Sequence, residues 1–87
     1  MKDTDIPRKV RWKVLRRDSV DDWPCCIYCG RPAEKGNGYG LHLHHVVRRS
    51  QGGKGQEDNL VTLCFNCHNE LHNGNQEIQH YCEEYLK

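Results

Sequence analysis

Two CxxC pairs constrain the fold of this chain more than any other feature. Cys26 and Cys29 form the first pair, and Cys64 and Cys67 form the second, with residues 30–63 between them. The two-residue spacing lets both thiolates of a pair approach one tetrahedral ion, and four thiolates complete the coordination of a structural zinc. The sequence therefore predicts a four-cysteine zinc site built from two knuckles.

The composition suggests that a bound metal contributes to the stability of the fold. A chain of 87 residues, of which 36% are hydrophobic, builds one small domain with a marginal apolar core. A structural zinc supplies about 10–16 kcal/mol of apparent binding free energy in small peptides, and this becomes folding free energy. A redox dithiol is the alternative, but such a CxxC usually stands alone near a βαβ pattern.

The N-terminal segment bears on where the protein works. Residues 1–17 contain no apolar run of the kind found in a signal peptide or a membrane span. Without a secretory route, six cysteines favour metal binding over disulfides, so we expect a cytoplasmic protein with no membrane contact. An extracellular disulfide protein would leave the repeated CxxC spacing unexplained.

Hydrophobic periodicity predicts a single α+β domain over residues 1–87. In chain order the predicted elements are a loose terminus at 1–7, a basic helix at 8–18, a strand at 39–47, a glycine-rich loop at 50–59, a strand at 60–63, a helix at 65–72 and a helix at 76–86. The predicted buried stripe of the last helix is Ile78, Tyr81, Cys82 and Tyr85.

A second set of potential ligands consists of histidines. His68 and His72 are four residues apart on a predicted helix, so their side chains project from one face. Cys67 lies about 100° round that helix from His68, so the helix can serve a zinc and a second site. The pair His44-His45 ends the predicted strand, where a third ligand and a base would converge.

The order of these residues resembles the motif of the HNH endonucleases. The pair His44-His45 is followed by Asn59, then by His68 directly after CxxC, and then by His72. With the first knuckle, the resemblance covers about residues 26–72, just over half of the chain. It implies a small ββα-metal fold with flanking helices and metal-dependent hydrolysis of nucleic-acid phosphodiester bonds.

The resemblance also implies roles for single residues. His44, His68 and His72 would bind the catalytic ion, His45 would be the general base, and Asn59 would hold the loop and orient His45. Many members of the family carry Asp where this chain has His44. Because an all-imidazole set suits zinc or nickel better than magnesium, the catalytic ion stays open among Mg, Mn, Ni and Zn.

Positive charge is local, because the net charge is only +1. The predicted DNA contacts lie in the basic helix and in the loop beside the histidine pair: Arg8, Lys9, Arg11, Lys13, Arg16, Arg17, Arg48, Arg49 and Lys54. Such contacts with phosphate position DNA without reading its sequence. We therefore expect DNA nicking or double-strand cleavage with low sequence specificity, weakening as salt rises.

Two further interpretations concern the setting of this chemistry. A non-catalytic, zinc-ribbon-like module that binds nucleic acid is the alternative function, for which the knuckles and the basic helix would suffice. The small size and the motif also resemble HNH proteins that bacteriophages encode beside the DNA-packaging terminase. That resemblance implies the large terminase subunit as a partner, in the cytoplasm of a bacterial host.

Overall fold

The computed structural model describes residues 6–36, 38–47, 51–53 and 55–87. These residues form an α+β fold with two small antiparallel sheets and three α-helices, which confirms the predicted fold class. The elements are α1 (Arg8–Arg17), β1 (Ser19–Val20), β2 (Trp23–Pro24), β3 (Leu41–His45), a 3₁₀ turn (Glu57–Asn59), β4 (Leu60–Cys64), α2 (Phe65–His72) and α3 (Gln76–Tyr85). Within the described ranges, no helix is long and apolar enough to cross a membrane.

The sheet of β3 and β4 and the helix α2 form the ββα unit that the sequence predicts. The strands pair antiparallel, with His44 opposite Val61 and His45 opposite Leu60. All five residues of β4 are buried, and the strand continues without a loop into α2. Cys64 is the N-cap of α2, where its Sγ accepts a hydrogen bond from the backbone N–H of Cys67 at 3.4 Å.

Backbone groups on the other edge of β4 also have hydrogen-bond partners. An unpaired strand edge would otherwise be open to water or to other chains. The C=O of Thr62 accepts a hydrogen bond from the N–H of Ile27, in the first knuckle, at 3.0 Å. Its N–H donates to the carboxylate of Asp18 at 3.1 Å. Strand β4 therefore lies between β3 on one side and the first knuckle and the end of α1 on the other.

The apolar core surrounds the cysteines. Strand β4 contributes Val61 and Leu63, and α3 contributes Ile78 and Cys82, all with at most 1% exposure. Cys82 behaves as the small buried hydrophobe that the sequence predicts, and burial raises the pKa of its thiol to about 12. The core is small, so a metal bound among the cysteines would add to it directly.

A buried carboxylate connects three elements of the fold. The side chain of Asp18 is fully buried and accepts hydrogen bonds from Arg17 Nε at 2.8 Å and Tyr85 Oη at 2.7 Å, besides that from Thr62. Arg17 also donates to the carbonyl oxygens of Glu57 and Leu60. Burial and the bond to Asp18 raise the pKa of Tyr85 to about 12, so this phenol stays a donor.

Two features of the structure differ from the sequence-based expectations. Strands β1 and β2 form a two-residue hairpin that was not predicted, with Asp21 and Asp22 at φ of 53° and 66°. Tyr81 and Tyr85 were predicted to be buried, yet they are 41% and 38% exposed. The core-facing stripe of α3 is narrow, and Ile78 and Cys82, one turn apart, fill it.

The first prediction concerns the carboxylate of Asp18. Asp18→Asn should lower the free energy of unfolding by about 3–5 kcal/mol, because it leaves the partly buried guanidinium of Arg17 without its counter-charge. The change at the exposed Asp58, Asp58→Asn, should alter it by no more than about 0.5 kcal/mol. Urea denaturation of zinc-loaded protein measures both, and equal small effects would contradict the structural role of Asp18.

Candidate metal centre and catalytic site

Four cysteine thiols converge between the first knuckle and the start of α2. The Sγ atoms of Cys26, Cys29, Cys64 and Cys67 all lie within 4.8 Å of one another. The first pair turns tightly, since the N–H of Gly30 donates to the C=O of Cys26 at 3.0 Å and Gly30 has a φ of 80°. Glycine adopts this left-handed conformation without steric cost.

The spacing of these atoms fits a tetrahedral metal. Zinc–sulfur bonds of about 2.3 Å place the sulfur atoms of a tetrahedron roughly 3.8 Å apart. In the structure, Sγ of Cys29 and Sγ of Cys64 are 3.5 Å apart. Cys25 is also buried but is not a member of this cluster, and its thiol donates to the C=O of Trp23 at 3.2 Å. The cluster is compatible with a structural zinc site.

The protonation of the thiols bears on how an ion would bind. Burial raises the pKa of Cys67, and the neighbouring thiols raise it further. Burial also acts against ionisation of Cys26, yet hydrogen bonds from backbone N–H groups lower its pKa overall. An incoming metal ion must therefore displace protons, so acidification should weaken its binding.

Three histidines converge on a separate point. The ligand nitrogens of His44, on β3, and of His68 and His72, on α2, lie within 4.8 Å of one another. The Nε2 atoms of His68 and His72 are 3.2 Å apart, which the one-turn spacing of the two residues makes possible. Metal–nitrogen bonds of about 2.0–2.1 Å place two ligand nitrogens roughly 3.4 Å apart, so this geometry fits a shared ion.

Burial, together with the neighbouring imidazoles, keeps His68 uncharged at the centre of the histidine cluster. Partial burial lowers the pKa of His68 to about 4, and repulsion from the charged forms of His72, His44 and His42 adds to the effect. At neutral pH the ring of His68 is therefore uncharged and retains a lone pair for a metal. Three protein ligands would leave positions open for substrate oxygen atoms.

The remaining two motif residues lie at the end of β3 and just before β4. His45 is half-buried and follows His44 directly, so the alternation of side chains along a strand separates the two rings. Asn59 holds the backbone of Val47, since its Oδ1 accepts from the N–H at 2.8 Å and its Nδ2 donates to the C=O at 3.2 Å. The backbone C=O of Asn59 also accepts from Val46 at 2.9 Å.

His42 was not predicted from the sequence as a residue of the site. The ring of His42 is stacked nearly parallel on that of His68, with the centroids 5.2 Å apart and an angle of 9° between the planes. The available signal was the two-residue spacing from His42 to His44, because alternate residues of a strand share one face.

The predicted DNA contacts of α1 do not all face solvent. Arg8, Lys9, Lys13 and Arg16 are exposed, whereas Arg11 is half-buried. Arg17 is also exposed, but its guanidinium forms an ion pair with Asp18 and donates to two backbone carbonyls. Arg48, Arg49 and Lys54 lie outside the described residues.

Comparison with known proteins agrees with this geometry. Residues 26–74 match the family model of the HNH endonucleases, and the chain belongs to this family. It is 49% identical over 51 residues to the type IV methyl-directed restriction enzyme EcoKMcrA of Escherichia coli, a match that covers 54% of the chain and 18% of that enzyme. It is 36% identical over 71 residues to Anaredoxin of Nostoc sp., which covers 82% of each chain.

The second prediction separates Cys26 from its neighbour Cys25. Cys26→Ser should release the zinc and unfold much of the domain, because three thiolates and a hydroxyl no longer close the coordination sphere. Cys25→Ser should keep a full equivalent of zinc. Metal analysis and circular dichroism measure the two outcomes, and zinc loss from Cys25→Ser alone would reassign the ligand.

The third prediction concerns His68 in protein whose histidine cluster holds no ion. His68 should titrate near pH 4 by NMR, whereas an unfolded histidine titrates near pH 6.5. Between these values the unfolded chain binds the extra proton, so stability is lost as the pH falls from about 6.5 towards 4. His68→Ala should show a weaker loss over this window, and identical pH dependence in both proteins would contradict the shift.

Proposed function

We propose that this protein is a metal-dependent endonuclease that hydrolyses DNA phosphodiester bonds, by nicking or double-strand cleavage, with low sequence specificity. The observation that carries the proposal is the convergence of His44, His68 and His72 in a chain of the HNH family. A non-catalytic zinc-ribbon-like module would need only the cysteine knuckles and the basic helix, and it would leave the histidine cluster without a use.

The three histidines would hold the catalytic divalent ion. When bound, such an ion supplies Lewis-acid stabilisation of the negative charge that develops on the phosphate and on the leaving oxygen. The histidines themselves orient the site, since His68 and His72 are fixed on one helical face and His44 is fixed in the sheet. All-imidazole ligation favours a transition ion, and Mg, Mn, Ni and Zn remain to be compared.

His45 would act as the general base. Imidazole can accept a proton near neutral pH. A side chain that is positioned as a general base commonly accelerates the reaction by about 10²–10⁴-fold. His45 adjoins a ligand histidine but is not a member of the histidine cluster, which fits a residue that takes a proton from water. Asn59 would act as a positioning residue, because its two bonds to Val47 hold the backbone two residues beyond His45.

The structural zinc would position the catalytic helix. Cys64 and Cys67 flank the first turn of α2, and His68 follows directly. An ion bound by the four thiolates would therefore hold the start of the helix whose other face carries His68 and His72. Loss of this ion should disturb the histidine cluster as well as the fold.

The DNA would be held by phosphate contacts. The exposed cations of α1 are Arg8, Lys9, Lys13, Arg16 and Arg17, and Arg17 also pairs with Asp18. Arg48, Arg49 and Lys54 belong to the same proposal, as cations that follow the histidine pair in the chain. A surface of this kind binds DNA of many sequences and is sensitive to salt.

The relatives support the nuclease chemistry and suggest settings for it. EcoKMcrA is named as a methyl-directed restriction enzyme, but the shared segment is only 18% of its length. We therefore extend only DNA cleavage to this chain. Association with a phage large terminase subunit is the setting that its size and motif suggest, and co-purification of the two proteins would test it.

A redox role for the cysteine cluster is the second candidate. A tetrahedral set of four thiolates suits iron as well as zinc. Similarity to a protein named Anaredoxin extends over 82% of the chain, and Cys29 is exposed. Metal analysis of protein from cells grown with both iron and zinc decides between the redox and the structural role. Stoichiometric zinc would exclude electron transfer at this site.

The fourth prediction tests His45 as the base. His45→Ala should lower plasmid cleavage at least about 100-fold while zinc content and thermal unfolding stay unchanged. His80→Ala, a change at an exposed histidine of α3, should cleave like the unaltered protein. The assay uses protein with its histidine cluster refilled by magnesium, manganese, nickel or zinc, over a range of salt concentrations.

Three results would refute the proposal at different levels. Substantial metal-dependent cleavage by His45→Ala would refute His45 as the general base but would support the nuclease activity. Absence of cleavage with every ion would refute the nuclease activity and favour the non-catalytic binding module. Cleavage that continues in EDTA would refute its dependence on a metal ion.

A further inference from the structure

A surface cleft of about 440 Å³ opens beside the histidine cluster. Its volume lies within the range of about 300–1,000 Å³ that is typical of small-ligand sites. The side chains that matter for its chemistry are Arg31, Glu34, Tyr39, His42, Phe65 and Asn66. They come from the segment after the first knuckle, from β3 and its approach, and from the first turn of α2.

Two aromatic rings in this cleft face solvent. Phe65 is 62% exposed and Tyr39 is 59% exposed. Neither belongs to the apolar core, so packing does not account for a phenylalanine at the first position of α2. The ring of His42 lies between this cleft and the histidine cluster, 6.0 Å from the ring of Phe65 and stacked on that of His68.

We infer that this cleft binds one unstacked nucleobase of the DNA substrate, beside the phosphate at the histidine cluster. The inference rests on the proposed nuclease function. Exposed aromatic rings stack on the face of any base, which gives affinity without sequence preference. The rings of Phe65 and Tyr39 would provide this stacking, and His42 would form the wall that the cleft shares with the metal centre.

The polar residues of the cleft favour a base over a phosphate. The carboxylate of Glu34 repels a phosphate but accepts hydrogen bonds from amino groups on base edges. The amide of Asn66 both donates and accepts, so it suits any base edge. Arg31 is exposed at the same cleft and can bind the phosphate that adjoins the base.

The position of the cleft defines a class of substrate. A base inside a duplex is stacked and paired, so moving it out of the duplex costs free energy. This cost is smaller for a base in single-stranded, gapped or mismatched DNA. Because His42 contacts both Phe65 and His68, a base in the cleft would adjoin the phosphate being cleaved. The protein should therefore prefer DNA with unpaired nucleotides over intact duplex.

The fifth prediction combines a protein change with a DNA change. With the metal-loaded full chain and a gapped oligonucleotide, Phe65→Ala should raise KM about tenfold and leave kcat within about twofold. Phe65→Trp should restore KM, because it keeps a ring. Tyr81→Ala, which removes an exposed tyrosine of α3, should leave both parameters unchanged.

An abasic residue next to the cleaved phosphate supplies the second arm. It should raise KM of the unaltered protein by the same factor, and it should have no further effect on Phe65→Ala, because the two changes remove one contact. Zinc content verifies the fold of each variant, and Tyr39→Ala, outside the CxxC segment, replaces Phe65→Ala if zinc is lost.

The outcomes separate the inference from the proposed function. Cleavage by the unaltered protein with independent, additive effects of the two changes, or with no effect of Phe65→Ala, would overturn the nucleobase site and keep the nuclease. Absence of cleavage of every DNA substrate would overturn both.

Discussion

The convergence of four thiols between two distant parts of the chain is the constraint on which the rest of the structure depends. Cys26 and Cys29 sit in a turn that is hydrogen-bonded to β4 through Ile27 and Thr62. Cys64 and Cys67 sit where β4 becomes α2. A cation shared by these thiolates would join the two segments and set the direction of α2. Because His68 follows Cys67 directly, the same linkage would also determine where the histidine cluster lies.

Two sets of side-chain hydrogen bonds, made by Asp18 and by Asn59, also join separate elements of the fold. The buried carboxylate of Asp18 receives donors from Arg17, from Tyr85 and from β4, so one charged group joins α1, α3 and the sheet. Asn59 joins the 3₁₀ turn to the segment after β3 by two bonds to Val47. Both sets use side chains that hydrogen-bond to backbone, and both restrict segments that lead into the ββα unit.

Local patterns predicted much of this fold. Helix α2 was expected at residues 65–72 and has those bounds, since the apolar run of β4 ends at a CxxC pair and Asn73-Gly74 ends the helix. The hairpin of β1 and β2 was missed because it depends on positive φ at Asp21 and Asp22, which aspartate adopts only when its surroundings require it. The exposure of Tyr85 was also missed, because its hydroxyl bonds to Asp18, 67 residues away, while much of its ring stays in solvent.

The sequence by itself indicated the residues of the two potential metal sites. Ligand spacing is a local property, and it gave the two residues between cysteines and the helical turn between His68 and His72, while the resemblance to the HNH motif added His44. The tertiary structure alone decided which side chains surround them. The strand β3 brought His44 to the helix and stacked His42 on His68, and the packing of α1 paired Arg17 with the buried carboxylate of Asp18. These pairings join residues far apart in the chain, and they depend on the register and packing of whole elements, which no local pattern encodes.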